Sequence, residues 1–455
     1  MRKLGLRLCL LGLLGATALV VTASGTAMIS ERGSGAAAQT TVRTGATAAA
    51  APRIPKVTIR FGFYPCCADT AVPVVGMRQG FFKDVGITIS PSNATQFSQA
   101  SQFLPAMQRG DQDIVTAFST TWLSTLNTFG MNLPPALLYD IYLGRDIIVA
   151  PRSGFKTTAD YMKQGMKFPA AARKAVAQLK GKTIYTDPFA GSQPPYYDIL
   201  FSYGKITSKD VHFQFLSDDK ILAASATPGR VPFAFPLAAP ILVQMLRNGY
   251  RSVIDMASII KYDGKSSQAK ALLGETGNQT VMIQRSLLDK DPDTIERFIS
   301  VVYRSIAFLK NPKTAPIGDK EIADVINAAQ GLQLIPKDIA TVYNVVDPLF
   351  PFEQQGATLW NPKSQYYAPR GYQNAVNSLI ANKSLPPGSY DLKKFLVAKT
   401  IYARMKSQQA HAKALFKKAA KVKGSRKALV ARARKFYSWY DFLDAVRFLK
   451  AATAR

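Results

Sequence analysis

The sequence predicts an α/β protein with largely parallel sheets, and three observations support this fold class. Strand-like and helix-like segments alternate along residues 57–260, the order that gives parallel strands covered by helices. Residues 57–89 in particular have the order strand, loop, helix and strand, which defines a βαβ unit. The chain also has 455 residues, so two or three compact units are expected rather than one core.

The first strand and the loop after it are the clearest part of this pattern. Apolar residues alternate with more polar ones along residues 57–64, as in a strand with two unlike faces. Asp69-Thr70 then offers an N-cap for a helix that carries Pro73 in its first turn. In folds built from such units, small molecules bind at the loop that follows the strand. We therefore expect the loop 64–70 to be part of a ligand site.

The first 27 residues have the pattern of a secretion signal. A basic start precedes an apolar run over residues 8–21, and small residues that permit cleavage follow it. Retention of this run as a membrane anchor is the alternative interpretation, although the run is short for a span. Residues 28–56 are rich in Ala, Thr, Gly and Ser and are expected to form a flexible linker. The sequence therefore predicts an exported protein, in the periplasm or on the outer face of the cell membrane.

Positive charge is concentrated at the C-terminal end of the chain. The formal net charge is +29, and residues 393–455 hold 18 Lys or Arg against Asp441 and Asp444. One interpretation is an amphipathic helix that contacts anionic membrane or cell wall, and the other is a helical hairpin packed on the protein. Nucleic acid is the usual partner of such charge, but the predicted export argues against it.

Cysteine and histidine are too scarce for most catalytic or metal sites. Histidine occurs only as His212 and His411, and no nucleophile elbow, phosphate loop or histidine-containing triad is visible. Beyond the signal, the cysteines are the adjacent pair Cys66-Cys67, which offers too few ligands for a metal. Two thiols packed behind the loop are one interpretation of this pair; a vicinal disulfide or a soft contact with a ligand is the other. No catalytic residue, metal or cofactor is expected.

Four segments, in this order, resemble the nitrate/sulfonate/taurine substrate-binding proteins of ABC importers, a family that includes SsuA-like and thiamine-precursor-binding proteins. They are GMRQGFFKDVGITI (76–89), RGDQDIVTAFSTTWL (109–123), LKGKTIYTDPFAGSQPPYYDILFSYG (179–204) and GRVPFAFPLAAPIL (229–242). The last segment departs from the family pattern, because Pro232 stands where the family usually has an acid.

This resemblance implies the type II periplasmic-binding-protein fold, in which two α/β lobes joined by crossover strands close on a ligand. Carried onto this chain, the first lobe comprises residues 57–148 and 260–403, and the second comprises residues 149–259. The remaining residues, 404–455, have no place in that pattern and are expected to form a basic helical extension.

The loops that would face the cleft supply candidate ligand contacts. Hydroxyls at helix N-termini suit an anion, and loop aromatics suit the apolar part of a ligand. Asp187 would accept a hydrogen bond from an amine or hydroxyl of the ligand. The candidate residues are Tyr64, Cys66, Cys67, Asp69, Ser119, Thr120, Trp122, Asp187, Phe189, Ser192 and Gln193.

The resemblance implies an extracytoplasmic solute-binding protein that captures a small organic or anionic molecule of the sulfonate, taurine or nitrate-like class. Its partners would be this ligand and an ABC permease in the membrane, and the protein is expected to be monomeric, without enzymatic activity and without a nucleic-acid partner. One alternative is an envelope-associated protein whose basic tail contacts anionic cell wall or lipid. The other is a binder of a thiamine-precursor-like pyrimidine.

Overall fold

A computed structural model describes residues 51–454, except for 120–122, 129, 188–193, 275–276 and 382. The described strands are β1 (Val57–Phe63), β2 (Ile87–Gln96), β3 (Ile114–Phe118), β4 (Pro135–Leu138), β5 (Asp146–Val149), β6 (Thr183–Thr186), β7 (His212–Phe215), β8 (Phe233–Phe235), β9 (Arg251–Asp255) and β10 (Gln279–Ile283).

The described helices in the first half of the chain are α1 (Val72–Arg78), α2 (Phe81–Asp84), α3 (Phe103–Gln108), α4 (Thr158–Lys163), α5 (Phe168–Ala177), α6 (Pro194–Ser202), α7 (Asp218–Ser225), α8 (Ala239–Arg247), α9 (Met256–Asp263) and α10 (Ser267–Gly274). The later ones are α11 (Arg285–Lys290), α12 (Pro292–Lys310), α13 (Ala315–Gln330), α14 (Pro336–Thr341), α15 (Phe352–Thr358), α16 (Ala368–Ala381), α17 (Leu392–Phe395), α18 (Val397–Ala419), α19 (Arg426–Ser438) and α20 (Phe442–Thr453).

The strands form two five-stranded sheets with the same kind of order. The first sheet is β2-β1-β3-β10-β4, and the second is β7-β6-β8-β5-β9. In each sheet two of the four neighbouring pairs run parallel and two run antiparallel, because the first strand after a crossing, β5 or β10, is antiparallel to both of its neighbours. The sheets are therefore mixed rather than largely parallel as the sequence predicted. The chain therefore crosses to the second sheet after β4 and returns before β10, which confirms the predicted two-part α/β fold with crossovers.

Local sequence explains most of the opening βαβ unit, with one exception. Pro73 lies in the first turn of α1, and Gly80, with φ of 72°, separates α1 from α2. The predicted cap is wrong: the N-cap residue is Ala71, and no side-chain hydrogen bond caps this end of the helix. The carboxyl group of Asp69 is buried instead, because other elements surround it.

Two large apolar clusters each draw residues from both sheets. One contains Phe61 of β1, Phe298 of α12 and Ile241 of α8. The other contains Leu138 of β4 together with Phe201 of α6. Because both clusters span the two sheets, the segments that cross between the sheets are themselves buried.

The C-terminal tail folds back on the protein as a packed group of three helices. Helices α18 and α19 are separated by a turn at Gly424, whose φ of 66° favours glycine. Helix α20 lies against α12, where Arg297 Nε is 2.9 Å from Asp444 Oδ2 and both side chains are about 1% exposed. Of the two interpretations of the tail, the packed helical one is confirmed for the described residues. Within those residues no helix combines the length and the apolar character needed to cross a membrane.

Candidate ligand-binding site between the two sheets

The loop after β1 is short and is held together by its own hydrogen bonds and a disulfide. Thr70 Oγ1 donates to the carbonyl oxygens of Tyr64 and Cys67, over 2.6 and 2.8 Å. Thr116 Oγ1 of β3 donates in turn to the Thr70 carbonyl oxygen, over 2.8 Å. A disulfide joins Cys66 and Cys67, which decides between the interpretations left open by the sequence. These bonds hold the loop in one shape at the carboxyl edge of the first sheet.

Three buried carboxyl groups lie beneath this loop, and we call them the acid cluster. Asp69, Asp140 and Asp347 each place a carboxyl oxygen within 4.8 Å of the others. Burial raises the pKa of Asp69 to about 6, while burial and the neighbouring acids raise the pKa of Asp140 and Asp347 well above the ordinary value. Their spacing matches an oxygen-ligand metal site, and the strongly raised pKa values of Asp140 and Asp347 mean that these two carboxyl groups retain protons at neutral pH unless a cation lies among them. The Asp69 carboxyl is therefore already engaged inside the protein.

Tyr64 faces acidic residues of the second sheet. Its pKa is raised by partial burial and then by the charges of Asp187, Asp219 and Asp218. Asp187 follows β6, and the two other acids begin α7. Two of the predicted contacts, Tyr64 and Asp187, therefore lie within range of each other's electrostatic influence.

Two residues that the sequence did not single out also occupy this side. Arg145, in the segment that crosses between the sheets, is buried and stacks 4.5 Å above the Tyr142 ring. Asp218 Oδ2 accepts from the backbone N–H groups of Leu237 and Ala238, over 2.9 and 2.6 Å. Burial nevertheless raises the pKa of Asp218 to about 7. Neither residue follows a strand or helix pattern that would have marked it in the sequence.

Ser119, directly after β3, is hydrogen-bonded to Asn278, which lies in the segment between β9 and β10 that returns the chain to the first sheet. Its backbone N–H donates to the Asn278 carbonyl oxygen over 3.0 Å, and its Oγ accepts from the Asn278 N–H over 3.1 Å. The Asn278 side chain donates to the backbone oxygen of Asp140. Ser119 is therefore buried and positions Asn278, which lines the cavity described next. The other predicted contacts, Thr120, Trp122, Phe189, Ser192 and Gln193, lie outside the described residues.

Two segments join the sheets, one between β4 and β5 and the other between β9 and β10. A cavity of about 530 Å³ lies beside both of them, and we call it the basic cavity. This volume falls within the range typical of small-molecule sites. Ile141 and Asn278 line it from the crossing segments, and Lys270 lines it from α10, which packs against α6 of the second part. The opposite wall is formed by residues 363–374, including α16, whose apolar residues join the same cluster as Leu138 of β4.

The lining of the basic cavity combines apolar surface with positive charge. Lys270, Lys363 and Arg370 contribute three cations, and none of the described lining side chains is acidic. Arg370 Nη2 donates to the carbonyl oxygens of Pro362 and Ser364, over 3.1 and 2.7 Å, which fixes its position. Side-chain amides and two tyrosine rings complete the wall, from Asn278, Gln365, Asn374, Tyr366 and Tyr367. The arrangement suits an anionic group attached to a small organic body.

Sequence analysis missed this cavity because its residues come from segments far apart in the chain. The signal that could have indicated it is PKSQYYAPRG (362–371), where two cations and two tyrosines fall within ten positions.

Comparison with known proteins gives a fold but no sequence family. No family profile and no curated protein sequence matches the chain. Among solved structures, the periplasmic aliphatic sulphonate-binding protein SsuA from Escherichia coli matches with 15% identity and a TM-score of 0.50, over 76% of this chain and 98% of that one. A putative sulfonate ABC transporter protein, the periplasmic sulfonate-binding protein SsuA from Methylobacillus flagellatus, matches with 13% identity and a TM-score of 0.50, over 77% and 95%.

An enzyme also appears among the structural neighbours. A mutant of the desulfurization enzyme DSZB in complex with biphenyl-2-sulfinic acid matches with 14% identity and a TM-score of 0.48, over 77% of this chain and 100% of that one. The sheet order and the two SsuA matches at a TM-score of 0.50 define the fold as the type II periplasmic-binding-protein fold. Its neighbours at a TM-score of 0.50 are SsuA-type sulfonate-binding proteins, so the predicted resemblance is confirmed at the level of the fold.

Proposed function

We propose that this protein is an exported solute-binding protein that captures a small anionic organic molecule and delivers it to an ABC permease. The observation that carries the proposal is the basic cavity, because three cations line it with no acidic lining residue among those described. The sulfonate-binding neighbours support the same ligand class. We take residues 57–148 with 260–403 as one lobe and residues 149–259 as the other.

Capture would begin in the first lobe, because Lys270, Lys363 and Arg370 all lie within residues 260–403. Helix α10, which carries Lys270, packs against α6 of the second lobe as well as against α16. An anion bound between α10 and residues 363–370 would favour the closed arrangement through this contact, by its differential affinity for that arrangement. Arg370 Nη2 donates to protein carbonyl oxygens, so its Nε and Nη1 groups are the ones that would donate to the anion.

The Tyr64 side of the gap would hold the remainder of the ligand. Tyr64 offers a phenol and Asp187 a carboxylate, which suit hydroxyl or amine groups. The Cys66–Cys67 disulfide belongs to the same loop as Tyr64 and would form part of the wall of the ligand site. Ser119, Thr120, Trp122, Phe189, Ser192 and Gln193 remain proposed contacts from the neighbouring loops.

Binding should be measured by isothermal titration calorimetry on ligand-stripped full-length protein, with an alkanesulfonate, taurine, nitrate, an aromatic acid and a thiamine-type pyrimidine as probes. We expect an anionic organic probe to bind. The double variant Lys363→Ala/Arg370→Ala should weaken its affinity by roughly ten- to a hundredfold or more, because charge-assisted hydrogen bonds are lost. Lys290→Ala, an exposed lysine outside the cavity, is the matched control.

The proposal would be wrong if no probe binds, or if the double variant binds the anion as tightly as the unmodified protein. Preferred binding of the uncharged pyrimidine would instead support the thiamine-precursor alternative.

We infer a binding role rather than a catalytic one from the groups near the gap. Cys66 and Cys67 are joined and cannot supply a thiolate nucleophile while oxidised. His212 and His411 are both exposed, and neither lines the basic cavity. Incubation with sulfonates and a biphenyl sulfinate should therefore release no sulfite; steady sulfite release would overturn this inference.

A further inference from the structure

The tip of the helical tail carries a dense positive surface. We define the basic patch as Lys413, Lys417, Lys418, Lys421, Lys423 and Lys427, all of them exposed. They occupy the last turns of α18, the connecting turn and the first turn of α19. No Asp or Glu occurs between residues 392 and 440, so no acid of the tail's own sequence neutralises this region.

The apolar residues of these helices are already covered. Leu415, Phe436 and Leu449 pack together in a third apolar cluster formed by α18, α19 and α20. Among the described tail residues, the large apolar side chains are buried or half-buried, which leaves no continuous apolar face for insertion into a bilayer, unlike in an interfacial amphipathic helix. Any contact made by the basic patch must be mainly electrostatic.

The tail's ion pairs lie away from its tip. Arg404 and Arg447 pair with Asp293, and the first of these also pairs with Glu296. No lysine of the basic patch takes part in an ion pair with the described residues. Six like charges are thus held close together on rigid helices, and an anionic surface would relieve their repulsion.

We propose that the basic patch binds the surface of an anionic phospholipid bilayer while the lobes remain in solution. Each lysine near such a surface contributes favourably through the negative surface potential, and the lysines act together because the helices hold them on one tip. The exposed charged side chains of residues 413–427 are all lysines, because Arg426 is partly buried and donates to the Ala454 carbonyl oxygen. Phe416 packs against Tyr437, so this stretch offers point charges rather than the arginine forks and exposed aromatic rings that contact bases. The inference does not depend on which ligand occupies the basic cavity, although a bilayer-bound protein would lie near a permease.

The test is co-sedimentation of the full-length protein with phosphatidylcholine vesicles that contain or lack phosphatidylglycerol. We expect binding only to the anionic vesicles, and we expect added salt to weaken it. The triple variant Lys417→Glu/Lys418→Glu/Lys421→Glu should reduce the affinity at least a hundredfold. The triple variant Lys163→Glu/Lys209→Glu/Lys290→Glu changes the net charge equally at exposed lysines elsewhere and should bind nearly as well as the unmodified protein.

Equal loss in both triple variants would show a general charge effect and overturn the proposal, as would binding to vesicles that lack phosphatidylglycerol. Tighter binding to duplex DNA than to anionic vesicles at the same ionic strength would assign the patch to nucleic acid instead. Circular dichroism and unmodified ligand binding in the basic cavity show whether each variant is folded, so failure here is separable from failure of the proposed transport role.

Discussion

Two buried carboxyl sites in this protein behave in opposite ways. In the acid cluster, Asp69, Asp140 and Asp347 lie together without a cation among the described contacts, and burial raises the pKa of all three. At the tail, Asp444 is as buried, yet its pKa is held below the ordinary value. Burial acts to raise the Asp444 pKa, but hydrogen bonds and charge from Arg297 and then Arg447 outweigh that effect.

The difference shows that the partner, not the depth, decides the protonation state of a buried acid here. A raised pKa in the folded state means that the group binds its proton more tightly when folded, so its contribution to stability is lost as pH rises. A lowered pKa means that stability is present above the unfolded value and is lost as pH falls. The acid cluster should therefore favour mildly acidic conditions, and the Arg297–Asp444 pair should favour neutral ones.

The largest expected effect comes from breaking the Arg297–Asp444 pair. Asp444→Ala leaves the Arg297 guanidinium buried without its anion and should lower the free energy of unfolding by about 3–5 kcal/mol. Urea denaturation at pH 7 measures this loss, and limited proteolysis should show earlier cleavage in residues 397–454. Asp324→Ala, which breaks an exposed pair with Lys320, is the control and should change stability by less than about 0.5 kcal/mol. A loss no larger than the control would contradict a structural role for the pair.

The second prediction concerns the acid cluster. Asp69→Asn keeps an acceptor for the Thr70 N–H but removes the titrating proton. Because the Asp69 pKa rises from 3.8 to about 6 on folding, the variant should gain up to about 3 kcal/mol of stability relative to the unmodified protein at pH 8. This gain should shrink as pH falls from about 6 to about 4. Urea midpoints at several pH values test it, and an equal effect at pH 4 and pH 8 would refute it.

The smallest expected effect is at the edge of the tail network. Arg447→Gln removes one of the two cations beside Asp444 and should cost less than about 1 kcal/mol at pH 7, because the arginine is partly exposed. The Asp444 pKa should rise, so acid unfolding should begin at a higher pH than in the unmodified protein. Acid titration followed by circular dichroism measures the midpoint. An unchanged midpoint would mean that Arg297 alone sets the Asp444 pKa.

Local patterns predicted much of the fold. The strand over 57–63, the helix that carries Pro73 and the break near Gly424 all follow from short-range preferences for alternation, proline and glycine. The predicted Asp69-Thr70 cap was wrong because long-range packing overrode a local signal. At the candidate site, sequence reasoning brought Tyr64 and Asp187 to facing loops, but it missed Arg145 and the lysines of the basic cavity.

The sequence by itself determined the α/β order, the basic tail and the loop at the carboxyl end of β1, because each depends on neighbours within a few positions. Only the tertiary structure decided which charges meet. Asp69, Asp140 and Asp347 are separated by long stretches of chain, as are Lys270 and Arg370, and the two crossings between sheets bring them together. Electrostatic energy depends on distance and burial in space, and neither can be read from spacing along the chain.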